Sequence, residues 1–393
     1  MTDLTRRQLL ERAAAGGALL SVPGLLAACG GDDGGTAAAT TSGTTTGGSA
    51  QLADTLRFSN WELYIDQNPK TKKIASLEAF TKKTGTRVQY VEDINDNATY
   101  FGKIQGPLSQ GRGIDRDIIV MTDNSRFPGI LVSKEWVQKL DKSLIPNIAN
   151  LIDAQMSPPF DPNREYSLPW ASGITGIATN LKASNGEVIT TPEQLLTDPK
   201  LKGKVTLLTE MADTMSMVML ENGDDPANVT DESFDKAYDQ IKKAVDSGQI
   251  RRFTGNDYVV DLERGNIAAA VSWSGDVATG LASNKALRWN LPEKGSDIWT
   301  DNMFIPLGGD VPTASTYMNF VYDPKIAAMI SVGNGYISSV KGVREEAIKL
   351  DPASAKNPLI FPTDEVLSNV VQFDSAALNN QTYIEKWQKL LGA

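Results

Sequence analysis

Short runs of apolar residues, separated by helix-length segments, set the strongest limit on how this chain can fold. Asp117-Ile118-Ile119-Val120-Met121 is apolar after its first residue, and Lys204-Val205-Thr206-Leu207-Leu208 and Ile267 to Trp273 read alike. A strand buried on both faces has this pattern. Leu56 to Trp61 alternates as a strand, and Arg87 to Val91 is a run of β-prone residues. Between these two, Lys70 to Thr84 carries Ile74, Leu77 and Phe80 at helical spacing and stops at Gly85. Glu232 to Ser247 places Phe234, Tyr238, Ile241 and Val245 on one face and closes at Gly248. A helix-length crossover between strands requires parallel pairing, so the opening is β-α-β. Tyr317 to Tyr322 and a helix from Gln381 to Leu391 complete the alternation. The expected class is α/β. With 393 residues, 41% of them apolar, there is core enough for two domains or one large one.

Composition excludes several chemistries. The chain has no histidine, which removes Ser–His and Cys–His nucleophiles and His metal ligands. Its one cysteine, Cys29, allows no internal disulfide and no Cys-based zinc site. A net charge of −10 argues against a nucleic-acid partner, which requires a basic footprint. No GxGxxG or phosphate-loop spacing is present, so neither a nucleotide nor any other cofactor is expected.

The first fifty residues read as an address and a tether. Thr5-Arg6-Arg7-Gln8-Leu9-Leu10 sets paired arginines before a weakly apolar stretch, Ala13 to Ala28. At that length it is short for a membrane span and reads as a secretory signal over 1–28, similar to the twin-arginine type. Leu26-Ala27-Ala28-Cys29 resembles a lipoprotein processing site, which would make Cys29 the lipidated N-terminus. Residues 29–53 are dominated by small and polar side chains that cannot offset their ordering entropy, a flexible tether. A leashed body with two α/β lobes suits a two-lobed solute-binding protein of the venus-flytrap kind. Such a protein holds its ligand in the cleft between lobes and closes by a hinge.

Tryptophans and carboxylates coincide near strand ends. Trp61 and Tyr64 flank Glu62 past the first strand. Glu210 and Asp213 follow the strand ending at Leu208, three apart, hence on one face of a helical first turn. Trp273 ends another strand, and Trp299 and Asp301 are two apart, so in an extended segment they share a face. Ligands of open α/β sheets bind beyond the carboxyl ends of strands, where all four clusters are expected. Tryptophan faces attract ammonium groups, carboxylates hydrogen-bond them, and flat rings wall the methylenes between. Glu210 and Asp213 equally suit a helix N-terminus. Trp136, Trp170, Trp289 and Trp387 are assigned to packing or surface.

At these residues the sequence resembles the spermidine/putrescine-binding proteins of ABC importers, over about 54–391. The markers are Phe58-Ser59-Asn60-Trp61-Glu62-Leu63-Tyr64, Leu140-Asp141-Lys142-Ser143, Pro159-Phe160-Asp161-Pro162-Asn163 and Tyr166-Ser167-Leu168-Pro169-Trp170. Leu208-Thr209-Glu210, Trp299-Thr300-Asp301 and Gly335-Tyr336 follow in order. The resemblance implies a ligand site of Trp61, Tyr64, Thr122, Glu210, Asp213, Trp273, Trp299, Asp301, Tyr336 and Gln372. It also implies lobes formed by 54–176 with 300–344 and by 177–299 with 345–393. Three positions depart from that pattern. Glu62 stands where a small hydroxyl is common, Asn124 where a tyrosine is common, and Gly255 where a serine contributes. Glu62 is expected to add a fourth carboxylate, and Glu62 and Asn124 join the expected site.

The expected function is a non-enzymatic, membrane-tethered polyamine receptor. It works as a monomer outside the cytoplasm and hands its ligand to an ABC permease, touching the membrane only through its lipid. Two alternatives stand: a receptor for another solute, such as a quaternary amine or an oligosaccharide, and a carboxylate-based glycoside hydrolase using Glu210 and Asp301. No metal site is expected.

Overall fold

The structure, a computed structural model, describes residues 51–281 and 284–392. The expected signal, Cys29 and most of the tether lie outside the described residues. The body opens with strand β1 (Thr55–Trp61), helix α1 (Ala75–Thr84) and strand β2 (Arg87–Ile94), and β1 pairs with β2 in parallel. Helix α1 starts five residues later than its periodicity suggests. The Asn68 side chain accepts the amides of Lys70 and Thr71, and this Asx turn holds the preceding segment out of the helix. Its end is as read: Gly85 takes φ 83°, a left-handed cap that glycine adopts without strain.

Helix α2 (Asn97–Ser109) and strand β3 (Ile119–Thr122) follow. Strand β4 (Ser167–Asn180) is the longest, and every residue of it is buried. Strand β5 (Val205–Leu208) leads into α3 (Met211–Glu221). Helix α4 (Asp231–Asp246) opens on a capping box between Thr230 and Ser233. Strands β6 (Ile250–Thr254) and β7 (Ala269–Trp273), helix α5 (Ser274–Leu281) and strand β8 (Ser296–Pro306) come next. The apolar run at 204–208 becomes β5, pairing in parallel with β6 and β7, as a doubly covered strand should.

The long strand β4 is shared. Ser167 to Ile174 pairs antiparallel with β8, whereas Thr175 to Thr179 pairs with β7 and Ile177 to Asn180 with the strand Leu287–Asn290. Strand β8 in turn pairs with β3 through Asp301 to Phe304. Among the described residues, one nine-stranded sheet is thus joined through β4 and β8, and β1 and β2 form a separate two-stranded sheet.

The segment Tyr317 to Tyr322 corrects the strand reading its β-prone residues invite. It lies at the end of helix α6 (Val311–Val321), capped by Asp310 and with Pro312 in its first turn. Ala314, Tyr317, Met318 and Val321 bury one helical face, a period visible only over a window longer than six residues. Tyr317 packs edge-on against Phe58 and Phe80, in the core beneath β1. The helix α7 (Gln381–Leu391) ends the described body at the expected bounds. Among the described residues no helix is long and apolar enough to cross a membrane.

Candidate functional site

Four strands and two helices carry residues of a single cavity of about 320 Å³, its mouth included. Trp61 is the last residue of β1. Leu63 then takes φ 56°, which turns the chain so that Tyr64 is buried beside Trp61 while Glu62 and Leu63 face outward. Thr122 ends β3, with Asn124 just beyond. Glu210 is the N-cap residue of α3 and Asp213 sits in its first turn, so the three-residue spacing does put both acids on one face. Trp273 ends β7, and Asp276 lies in the first turn of α5. Tyr336 follows the left-handed cap Gly335 of the helix Pro324–Asn334.

Trp299 and Asp301 share a face as read, but they lie inside β8, not beyond a strand end. That placement corrects the expectation for this cluster. Strand β8 offers its middle, not its end, to the cavity.

The aromatic rings form a connected wall. Trp61 meets Trp273 edge-on at 5.7 Å, Trp273 meets Trp299 at 6.1 Å, Trp299 meets Tyr336 at 5.8 Å, and Tyr336 meets Tyr64 at 4.6 Å. Edge-to-face contacts suit the ring quadrupoles. Two glycines admit these rings. A Cβ on Gly275 would sit 2.2 Å from Tyr336, and one on Gly173 would sit 2.5 Å from Trp299.

Carboxylates fill the spaces between rings. Asp213, fully buried, accepts from the Trp273 indole at 3.1 Å and from the Thr175 hydroxyl, which itself accepts from the Trp299 indole at 3.2 Å. Asp276 accepts from Tyr336 and Tyr258 at 2.8 and 2.9 Å and from Asn256 at 3.0 Å. Asp301 accepts from Thr122 at 2.6 Å, and the Tyr64 hydroxyl lies beside it without closing a hydrogen bond of ordinary geometry. Glu210 accepts two bonds of 2.9 Å, from the Asn97 amide and backbone. Burial raises all four: Asp213 and Asp276 to about 6, Asp301 to about 7 and Glu210 to about 8. In Glu210 the nearby Asp213 charge adds to burial. No lysine or arginine lines the cavity among the described residues.

Eleven of the twelve residues expected at the site line this cavity. Gln372 does not. It lines a second cavity with Asp123, Phe160 and Phe373, and Asn124 borders both. Glu62 is at the rim with its side chain exposed, where solvent screens its charge. The fourth carboxylate among the buried lining residues is Asp276. Sequence reading missed Asp276 and its partner Asn256, although Asp276 follows Trp273 by three residues, the same helical-turn spacing that marked Glu210 and Asp213. Trp136, Trp170, Trp289 and Trp387 lie outside the cavity. The Trp170 indole donates to the Tyr64 carbonyl from behind.

The segment 95–97 packs against two lining residues, Glu210 and Asn256. Asn97 holds Glu210, and the Asn256 amide donates to the Asn95 carbonyl at 3.3 Å. Gly255 is pressed against this carbonyl: a Cβ there would lie 2.1 Å from the Asn95 oxygen. No side chain fits, which explains why serine is absent here. Gly255→Ala is therefore expected to part these segments, break the Asn97–Glu210 bonds and lower ligand affinity about thirtyfold, two lost hydrogen bonds at about 1 kcal/mol each. Small-angle scattering of the liganded variant should show a larger radius of gyration than the liganded parent.

The profile of the bacterial extracellular solute-binding protein family matches residues 75–362. The chain is 25% identical, over 338 residues, to the spermidine/putrescine-binding periplasmic protein of Escherichia coli (strain K12), covering 86% of this chain and 91% of that one. It is 28% identical to the putrescine-binding periplasmic protein SpuD of Pseudomonas aeruginosa (strain UCBPP-PA14), covering 87% and 94%. The solved spermidine/putrescine ABC transporter substrate-binding protein PotD of Streptococcus pneumoniae superposes with a TM-score of 0.67 at 22% identity, over 86% of this chain and 97% of that one. The shared fold is the two-lobed α/β architecture with its ligand cleft between lobes. A family profile spanning most of the body, over a fold that matches 86% of this chain, leads to one assignment: the chain belongs to the bacterial extracellular solute-binding protein family.

Proposed function

We propose that this protein is the polyamine receptor of an ABC importer. It captures a spermidine- or putrescine-like cation between its lobes and delivers it to a permease. The observation that carries this reading is the cavity itself: four buried carboxylates among five aromatic rings, with no lysine or arginine among the described lining residues. Burying an ionised carboxylate without a counter-charge costs several kcal/mol, so where these acids are ionised, closure over them is favoured by cations. Each carboxylate–ammonium hydrogen bond contributes about 1.5–3 kcal/mol, and each ring face adds roughly 0.5–2. Neutral sugars bring no positive charge to these acids, and amino acids bring a repelled carboxylate. The likeness to receptors named for spermidine and putrescine supports the same ligand class.

In this reading the lobes are 54–176 with 300–344, and 177–299 with 345–393. The shared pairing of β4, which changes partner near Ile174, supports the first hinge, and β8 supports the second. Glu210, Asp213, Trp273 and Asp276 then come from one lobe, and Trp61, Tyr64, Thr122, Asp301 and Tyr336 from the other. The ligand itself joins the lobes. The receptor acts outside the cytoplasm, leashed through Cys29, and as a monomer.

Calorimetric titration of the body from Gln51 tests this. Spermidine or putrescine is expected to bind at micromolar or tighter affinity, while glycine betaine and maltotriose give no heat. Binding of maltotriose or betaine in preference to both polyamines would refute the reading.

A further inference from the structure

Behind the cavity lies a fifth buried carboxylate that the sequence pattern does not flag. Asp297 is fully buried in β8, and no lysine or arginine pairs with it among the described residues. Its Oδ2 accepts from the Asn124 amide nitrogen at 2.9 Å, and the same nitrogen lies 3.4 Å from Asp213 Oδ2. One neutral amide thus bridges two buried carboxyl groups. Asp297 Oδ1 has no hydrogen-bond partner, and the Phe373 backbone amide leans toward the carboxylate without closing an ordinary bond. The Asn124 Oδ1 atom, on a side chain 6% exposed, is likewise unpartnered. Two orphaned acceptors at one point is a costly arrangement for a protein interior.

That point is also a junction. Asn124 borders both the ligand cavity and the second cavity, whose volume is about 1070 Å³ with its mouth included. The second cavity has flat apolar walls in Phe160 and Phe373, acids in Asp123 and Asp374, the Gln372 amide, and one cation, Arg126, set over the Phe127 ring. The bridging amide nitrogen marks a position within reach of both Asp213 and Asp297. An ammonium there would donate to the same oxygens with a full charge, where the amide offers only a dipole.

We propose that Asp297 and Asn124 form a further ammonium subsite that reads the length of the ligand. A diamine stays in the first cavity and leaves the Asn124 bridge in place. A linear polyamine with three or more nitrogens displaces the amide and sets an internal ammonium between Asp213 and Asp297. Asn124 Oδ1 then accepts from that ammonium, and the last aminoalkyl arm extends into the second cavity. This rests on the polyamine reading and assigns the site its preference among polyamines.

Two variants test it by titration with putrescine and spermidine. Asp297→Asn is expected to lower spermidine affinity at least tenfold and to leave putrescine within about twofold. Gly129→Phe acts from the other side. Gly129 lines the second cavity, and a Cβ there meets no atom within 4 Å, so a phenyl ring fills the space without a clash. It should give the same selective loss of spermidine, and it decides the matter alone if Asp297→Asn does not fold. Equal loss of both ligands in Asp297→Asn, or unchanged spermidine binding in Gly129→Phe, would overturn the proposal. A parent protein that binds neither amine would instead sink the polyamine reading, which separates the two failures.

Discussion

Replacing Asp301 by asparagine is expected to weaken polyamine binding about 10- to 100-fold while making the ligand-free protein more stable. The loss follows from one carboxylate–ammonium bond at about 1.5–3 kcal/mol, each 1.4 kcal/mol being a factor of ten. Asparagine keeps the shape and still accepts the Thr122 hydroxyl, so the wall stays in place. The gain in stability has the opposite origin. Burial raises Asp301 to about 7, above its ordinary value near 4, so the folded protein holds this proton more tightly than the unfolded chain. Its cost to the fold begins above about pH 4, grows with pH and is complete once pH passes the folded value. The rise in Tm for Asp301→Asn should therefore be small at pH 4 and largest at pH 8. Unchanged affinity would remove Asp301 from the binding set, and a lower Tm at pH 8 would make its role structural.

Polyamine affinity is expected to climb steeply between pH 6 and pH 8. Below pH 7 Glu210 and Asp301 are largely protonated in the closed cavity, and Asp213 and Asp276 join them below about pH 6. An ammonium needs the ionised acid, so each acid that must release its proton adds up to a factor of ten in affinity per pH unit. Over these two units the gain should be at least about tenfold. Titrations in buffers of different ionisation enthalpy should report protons released on binding, and Asp301→Asn should release fewer. Affinity flat across this range, with no buffer dependence, would mean the acids enter the complex already ionised.

Much of this site was legible because its parts obey local periods. Glu210 and Asp213 face one way because a helix turn brings i and i+3 together, and Trp299 and Asp301 because a strand brings i and i+2 together. The β-α-β opening could be read from hydrophobic spacing alone. The rest depends on contacts far apart in sequence. Asp297 precedes Trp299 by the same two residues, but only the packing of β8 against Asn124, 173 residues away, makes it matter. Gln372 shows the limit in the other direction: its residue type suits the site, yet tertiary placement puts it across the Asn124 wall. Gly255 reads as a lost hydroxyl in the sequence, and only the approach of the Asn95 carbonyl shows that the position has no room for one.

The ring chain from Trp61 through Trp273 to Trp299 has an optical consequence. Neighbouring indoles about 6 Å apart exchange excitation far faster than they emit, so the three rings fluoresce as one unit. Whatever touches any of them changes the light from all. On the lobe assignment proposed above, Trp61 and Trp273 come from opposite sides of the cleft, so separating the lobes also breaks the exchange. The receptor therefore carries a built-in indicator of its own closure, legible in intensity and anisotropy without any attached dye.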